Sequence, residues 1–111
     1  MSEAVALIQR QLDAYNAQDL DAMLNCYAPD CVIAGLNGAV TETGRDALRA
    51  RYAKAFATFP DNKAHLKNRI ALGATVIDHE HVVRKPGGEE FEIIAIYSIK
   101  NGQIARVDFS K

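Results

Sequence analysis

The sequence predicts an α+β fold, a curved antiparallel sheet with three helices gathered on one face. In residues 1–60, apolar side chains recur at three- and four-residue spacing, which is the period of a helix. After Pro60 they recur every second residue, the period of a strand. Helices first and a run of hairpin-connected strands last is typical of the α+β class.

Two helices are predicted before Pro29. The first is indicated by four apolar residues at helical spacing, Val5, Ile8, Leu12 and Tyr15. With Ser2 as N-cap, it spans about residues 3–17. Asp19 can cap a second, shorter helix, which Pro29 stops. The apolar residues of that helix are Leu20, Met23, Leu24 and Tyr27.

A short strand and a third helix follow. The apolar run CVIAGL, residues 31–36, is predicted to be a strand that ends at the turn dipeptide Asn37-Gly38. The third helix begins after Gly44 and ends at Pro60. Its apolar stripe consists of Leu48, Tyr52, Ala55, Phe56 and Phe59.

Four strands complete the chain. They are HLKNRIALG, ATVIDHEHVVRK, EFEIIAIYSI and QIARVDFS. Gly73, Pro86-Gly87-Gly88 and Asn101-Gly102 mark the turns between them, which suits consecutive antiparallel hairpins.

Length and composition indicate one domain over residues 1–111. The formal net charge of −1 gives no reason to expect nucleic acid as a partner. No apolar run approaches the roughly 20 residues of a membrane span, and charged residues interrupt the N-terminal apolar run, unlike in a signal peptide. Two cysteines are too few for a disulfide framework. We therefore expect a cytoplasmic protein that does not bind membranes.

The strand from Phe91 to Ile99 is apolar on both faces. One face carries Phe91, Ile93, Ala95 and Tyr97, and the other carries Ile94 and Ile96. Three helices cover only one face of such a sheet, so the second face would expose a large apolar patch. A homodimer through the outer sheet face, with Ile94 and Ile96 at its centre, is the simplest remedy.

The chain resembles the nuclear transport factor 2-like superfamily, and within it the SnoaL-like and ketosteroid isomerase-like proteins. The stretches that carry the resemblance are LDAYNAQDLDAMLNCYAPDC, GRDALRARY and IYSIKNGQIARV. The resemblance implies a cystatin-like α+β cone, in which the three N-terminal helices pack on the concave face of the curved antiparallel sheet. It also implies an apolar pocket for a small apolar molecule, usually in a homodimer.

Comparison with ketosteroid isomerases assigns roles to three tyrosines. Those enzymes use a tyrosine hydroxyl as oxyanion-hole donor, backed by two further tyrosines, and Tyr15, Tyr27 and Tyr52 fall on these positions. Their base and their neutral acid correspond to Gly35 and Ala95, so both carboxylates are missing. Ketosteroid isomerisation by the familiar mechanism is therefore not expected. The same tyrosines also fit a plain apolar core in which their hydroxyls serve one another.

The stretch VIDHEHVVRK, residues 76–85, concentrates charge on one strand. Alternation puts Asp78 and Glu80 on one face and His79 and His81 on the other. Counting back through the following hairpin against the resembled isomerases puts Val76, Asp78, Glu80 and Arg84 on the concave side. A slip of one residue would reverse this assignment.

Limonene epoxide hydrolases offer a second comparison. They carry a carboxylate on this strand at the position of Asp78. The arginine that they carry two residues earlier corresponds to Val76, and their second carboxylate to Phe109. Neither mechanism is complete in this chain, and the comparison ranks Asp78 ahead of Glu80.

Two carboxylates two residues apart on a strand have Cα atoms roughly 6.5 Å apart. In an apolar cone, burial and mutual repulsion would raise a pKa, and one carboxylate could act as general base near neutral pH. The predicted catalytic residues are Asp78, Glu80 and Tyr15. The predicted ligand-binding residues are Tyr27, Tyr52, Arg51, Arg84, Tyr97, Val107 and Phe109. The alternative is a hydrated strand whose charges only keep the protein soluble.

His79 and His81 also suggest a metal site, since two histidines two residues apart on a strand can share one ion. The further ligands that such a site needs are not at suitable spacing, so no metal and no cofactor is predicted. A position near the dimer face, where protonation could tune association, fits the two histidines better.

Two classes of function remain open. The first is a small isomerase-, hydrolase- or cyclase-like enzyme that uses a pocket carboxylate as base and Tyr15 as donor. The second is a noncatalytic ligand-binding or dimerisation module of the same fold. An ionised carboxylate beside a free tyrosine hydroxyl favours the first, and a cone filled by phenylalanines favours the second.

Overall fold

The computed structural model describes residues 2–111. Three helices are present, α1 (Glu3–Ala17), α2 (Leu20–Leu24) and α3 (Arg45–Thr58). Ser2 caps α1 by accepting a hydrogen bond from the backbone N–H of Val5 at 3.1 Å, as the sequence predicts. Within residues 2–111, no helix is both long enough and apolar enough to cross a membrane.

The second helix is shorter than predicted. It ends at Leu24, and Tyr27 is the first residue of strand β1 (Tyr27–Gly35) instead of a helix residue. Tyr27 pairs with Ile104, and the register then shifts before Val32. Pro29 lies inside this irregular segment, where its missing N–H leaves no ladder bond unmade. The prediction that Pro29 stops a helix was therefore wrong, because the proline occupies a bulge in a strand.

The sheet has six strands in the order β2-β1-β6-β5-β4-β3 and is curved without closing. The four predicted strands of the second half are all present. The remaining strands are β2 (Val40–Thr43), β3 (Lys63–Leu72), β4 (Thr75–Val83), β5 (Glu90–Lys100) and β6 (Gln103–Ser110). β2 was not predicted, and the pairing of β1 with β6 is parallel, so the sheet is not purely antiparallel.

The inner face of the sheet is covered by helices α1 and α3. On β4, the inner residues Val76, Asp78, Glu80 and Val82 are 0, 0, 7 and 4% exposed. The predicted alternation of this strand is therefore confirmed. Glu80 pairs with Ile93 on β5, so Ile93 faces the same side of the sheet as Glu80.

The outer face of the sheet has no helix against it in the described chain. Ile70, Leu72 and Ile94 are 68, 84 and 39% exposed there, and Ile96 is half-buried. Isolated exposed apolar residues are ordinary, but these lie on β3 and β5, the two strands that flank β4. The homodimer through Ile94 and Ile96 stays a prediction.

Candidate functional site

A cavity of about 140 Å³ lies between helices α1 and α3 and the inner face of the sheet. Its wall brings together seven of the ten predicted site residues. These seven are Tyr15, Arg51, Tyr52, Glu80, Arg84, Tyr97 and Phe109. Asp78, Tyr27 and Val107 are buried outside the wall.

A larger groove of about 650 Å³ lies at the other end of the molecule, between the start of α1 and the turns after β3 and β5. Its charged lining residues are Glu3 and Arg10, and both are exposed to solvent. Within residues 2–111, no buried charged side chain lines this groove, whereas the buried Glu80 lines the smaller cavity, which is therefore the better candidate site.

Glu80 is the ionisable group at the centre of the cavity wall. It is 7% exposed, and burial raises its pKa to about 7. The charge of Asp78 adds to the rise, and Arg69 opposes it. No hydrogen bond from residues 2–111 lowers this pKa, so the carboxyl group is free to contact a ligand.

Asp78 points to the same side of the sheet, but its charge is neutralised. Arg69 on β3 donates from Nε to Oδ1 at 2.6 Å and from Nη2 to Oδ2 at 2.9 Å. The third contact of the guanidinium is Nη1 to Gln9 Oε1 at 2.8 Å. Asp78 is fully buried and does not reach the cavity, so the structure brings Glu80, and not Asp78, to the candidate site.

A β-bulge gives the two carboxylates different neighbours on β3. Asp78 pairs with Arg69, and an unchanged register would place Lys67 opposite Glu80. Instead the register shifts between Leu66 and Asn68, so that Leu66 lies opposite Glu80. Lys67 is exposed and bonds Glu92 through Nζ at 3.1 Å. The bulge thus removes the cation that would otherwise neutralise Glu80.

Tyr15 presents a hydroxyl group to the same cavity. That oxygen accepts a hydrogen bond from Asn62 Nδ2 at 2.6 Å, which leaves the phenolic proton free to donate. Burial raises the pKa of Tyr15, so the phenol stays protonated at neutral pH. The charge of Glu80 contributes to this rise, and the charge of Arg84 opposes it, so Tyr15 lies within range of both.

The other three tyrosines differ in whether their hydroxyl groups can contact a ligand. Tyr52 lies edge-on to Tyr15, with ring centroids 6.0 Å apart, and burial raises its pKa to about 12. Tyr97 donates its proton to Gln11 Oε1 at 3.2 Å, so its hydroxyl is occupied. Tyr27 is 1% exposed and lies in the core beneath the cavity wall. Only Tyr15 and Tyr52 therefore offer hydroxyl protons to a ligand.

Two arginines stack on aromatic rings at the cavity wall. The guanidinium of Arg51 lies 5.5 Å from the ring centroid of Tyr52 and 5.6 Å from that of Phe109, and it bonds the carboxylate of Glu42. The guanidinium of Arg84 lies 4.8 Å from the centroid of Phe59 and 4.9 Å from that of Phe91. Stacking of this kind holds a planar guanidinium in a fixed orientation.

The two histidines of β4 lie on the outer face, away from the cavity. His79 Nε2 is 2.7 Å from Glu92 Oε1, and His81 Nε2 is 2.8 Å from Glu90 Oε1. Within residues 2–111, no three histidine, cysteine or acidic side chains are grouped so as to hold a metal ion.

Two residues of the site were not identified from the sequence. Arg69 could have been found, because a two-residue turn at Gly73-Ala74 places it directly opposite Asp78. Asn62 carries no such signal. It lies in the short segment between α3 and β3, and only the packed structure shows that it is 2% exposed beside Tyr15.

Comparisons with known proteins agree with this architecture. The model of the SnoaL-like domain matches residues 8–107. An uncharacterised cystatin-fold protein from Novosphingobium aromaticivorans is 32% identical, with all of this chain and 99% of that chain covered and a TM-score of 0.90. No curated protein matches the chain.

More distant structures share the fold. A proposed polyketide cyclase from Sinorhizobium meliloti is 24% identical, with 95% of this chain and 94% of that chain covered and a TM-score of 0.80. A proposed ketosteroid isomerase from Kribbella flavida is 16% identical, with 96% and 76% covered and a TM-score of 0.82. The family model spans most of the sequence, and the chain belongs to the SnoaL-like domain family of the nuclear transport factor 2-like superfamily.

Proposed function

We propose that the chain is a small enzyme that moves a proton on a small carbonyl compound, with Glu80 as general base and Tyr15 as hydrogen-bond donor to the carbonyl oxygen. The observation that carries the proposal is the unpaired Glu80 carboxyl on the cavity wall, with its pKa raised to about 7. A base of this pKa is about half deprotonated at pH 7, and it is more basic than an ordinary carboxylate.

The reaction needs no oxidant or metal. The carboxylate of Glu80 removes a proton from the carbon next to the carbonyl, and the electron pair of the C–H bond moves to form an enolate. The enolate oxygen accepts a hydrogen bond from Tyr15, which lines the cavity and whose phenolic proton is not used by the bond from Asn62. Glu80 then returns the proton to another carbon of the conjugated system, which yields an isomer. If the Glu80 carboxyl group first exchanges its proton with solvent, it delivers a deuteron from D₂O to the same carbon, which yields exchange.

Asp78 has a positioning role in this proposal and is not itself the base. Its carboxylate is occupied by Arg69 and does not line the cavity. Its negative charge helps to raise the pKa of Glu80. The charges of the Asp78–Arg69 pair therefore tune the pKa of the base, and neither residue contacts the ligand.

The size of the cavity limits the substrate. Pockets for drug-sized ligands measure roughly 300–1,000 Å³, whereas a cavity of about 150 Å³ holds a molecule such as benzene. At about 140 Å³, this cavity accommodates a compound of one small ring. The names of the polyketide cyclase and the ketosteroid isomerase among the structural neighbours support the class of chemistry, and the cavity argues for a smaller substrate.

Deuterium exchange tests the proposal. Cyclohexanone matches the cavity in size, and NMR follows the loss of its protons next to the carbonyl in D₂O. We expect the wild-type protein to accelerate exchange, with a rate that rises through a midpoint near pH 7.

Glu80→Gln should lower the rate by about 10²–10⁴-fold. Glu89→Gln is the matched control, because Glu89 is exposed and outside the wall. Equal exchange by wild type and Glu80→Gln would contradict the proposal.

A noncatalytic binding module of the same fold is the second candidate. It is favoured by the aromatic side chains that fill much of the cone, since Tyr15, Tyr52 and Phe56 pack against one another with centroids 5.7–6.0 Å apart. Binding of cyclohexanone without any acceleration of exchange would support this candidate.

A further inference from the structure

Arg84 is a partly buried cation whose charge is weakly neutralised. Its Nη1 donates to the amide oxygen of Asn62 at 3.0 Å, which supplies no negative charge. Within residues 2–111, its one salt-bridge contact is from Nε to Glu89 Oε1 at 3.9 Å, and the Glu89 side chain is 68% exposed. Nε itself is buried without a hydrogen bond. A buried donor without a partner is costly, and this one belongs to a residue of the cavity wall.

The other arginines near the cavity have close counter-ions. Arg51 bonds Glu42, and Arg69 bonds Asp78 through two nitrogens. Lys111 adds a further positive group to the wall, with Nζ 4.0 Å from the ring centroid of Phe91. The end of the cavity near Arg84 and Phe91 therefore carries two cationic groups, and within residues 2–111 the one anionic contact of Arg84 is the distant, exposed carboxylate of Glu89.

Arg84 and Glu80 both line the cavity. They are four residues apart on the chain at the end of β4, which corresponds to roughly 13 Å between Cα atoms. The charge of Arg84 and a hydrogen bond with it lower the pKa of Tyr15, and the charge of Glu80 raises it, so the Tyr15 hydroxyl is near both groups. An anion held at Arg84 would be paired with the guanidinium, which offsets its repulsion of the ionised Glu80 carboxylate.

We propose that the substrate carries a carboxylate, which Arg84 binds, so that the ligand is a small oxo acid. This inference rests on the proposed function, in which Glu80 acts on the carbonyl end. A planar guanidinium matches a carboxylate with two parallel hydrogen bonds, and stacking between Phe59 and Phe91 fixes its plane in advance. The family resemblance predicts a small apolar ligand, whereas this proposal calls for a small molecule with one charged end.

Benzoate and benzamide test the proposal, because they share one shape and differ in charge. Binding is measured by calorimetry, and the Arg84 Nε–H signal is followed by NMR. We expect benzoate to bind at least ten-fold more tightly than benzamide and to shift that signal. Arg84→Met should abolish the preference, and Arg84→Lys, which keeps the charge and loses the planar geometry, should retain part of it. Arg49→Met is the control, because Arg49 is exposed on α3 and bonds Asp21.

Equal affinity for the two probes, or a preference that survives in Arg84→Met, would overturn the inference. Should Arg84→Met not fold, the wild-type Nε–H shift and the Arg84→Lys variant still decide the question. Glu80→Gln separates this inference from the proposed function, since it should lose exchange and keep the preference for benzoate. Exchange without a benzoate preference would refute the carboxylate site alone, and a preference without exchange would refute the base alone.

Discussion

Asp78 and Glu80 project from the same face of β4, two residues apart, and meet different neighbours on β3. On the side of the Gly73-Ala74 turn the hairpin register is continuous, and Arg69 lies opposite Asp78. Beyond the bulge at Lys67 the register has shifted by one residue, and Leu66 lies opposite Glu80. One carboxylate is therefore part of a buried ion pair, and the other is left unpaired in a cavity.

The difference shows that one extra residue in β3 decides which carboxylate forms a structural ion pair and which one remains unpaired in the cavity. A buried ion pair requires good geometry, and the two short bonds from Arg69 provide it for Asp78. The unpaired Glu80 is destabilising when ionised, because nothing replaces the water that it has lost. Such a cost is characteristic of functional sites, where a shifted pKa is useful.

Arg69→Met should produce the largest effect on stability. It would leave Asp78, which is fully buried, without its counter-ion, and breaking such a pair costs about 3–5 kcal/mol. Arg49→Met breaks an exposed pair with Asp21 and should cost at most about 1 kcal/mol. Urea denaturation at pH 7 measures both. Losses that agree within about 1 kcal/mol would show that the Asp78–Arg69 pair is not the stabilising contact described here.

Glu80→Gln should change how stability depends on pH. The pKa of Glu80 is about 7 in the folded protein, against an ordinary value of 4.5, so between these values the folded protein holds a proton that the unfolded chain has released. Stability should therefore fall as pH rises from about 4.5 to 7, by about 3 kcal/mol.

The glutamine variant carries no titrating group at this position. It should lack this loss and exceed the wild type in stability at pH 8. Glu89→Gln, at an exposed position, should keep the wild-type slope. Parallel pH profiles for wild type and Glu80→Gln would mean that Glu80 titrates normally.

Much of this architecture is encoded locally. The bounds of α1 and of the last four strands follow from periodicity and from turn residues such as Asn101-Gly102. Alternation grouped the residues of β4 by face, and counting against the resembled isomerases chose Val76, Asp78 and Glu80 as the inner set, which are the buried ones. Seven predicted site residues line one cavity, and they come from α1, α3, the sheet and the end of β4.

Other features depend on contacts between distant parts of the chain. Tyr27 fits the apolar pattern of a helix, but pairing with Ile104 draws it into β1. The bulge at Lys67 is not marked by glycine or proline, and a continuous register would have paired Lys67 with Glu80. Family comparison favoured Asp78 as the functional carboxylate, because neither the bulge nor the Arg69 partner is visible in a motif.

Leu66→Lys tests the role of the bulge most directly. Leu66 lies opposite Glu80 and is 38% exposed, so a lysine there can keep its stem on the strand and bring its ammonium group toward the carboxylate. An opposite charge within about 4–6 Å lowers a carboxyl pKa by about 1–3 units, so the pKa of Glu80 should fall from about 7 toward its ordinary range. NMR titration of the side-chain carboxyl carbon measures this shift. Leu66→Met is the control for altered packing, and Lys67→Ala is the control for loss of the bulged lysine; both should leave the pKa near 7. If Leu66→Lys also leaves it there, then the residue opposite Glu80 does not set its charge, and burial alone distinguishes the two carboxylates.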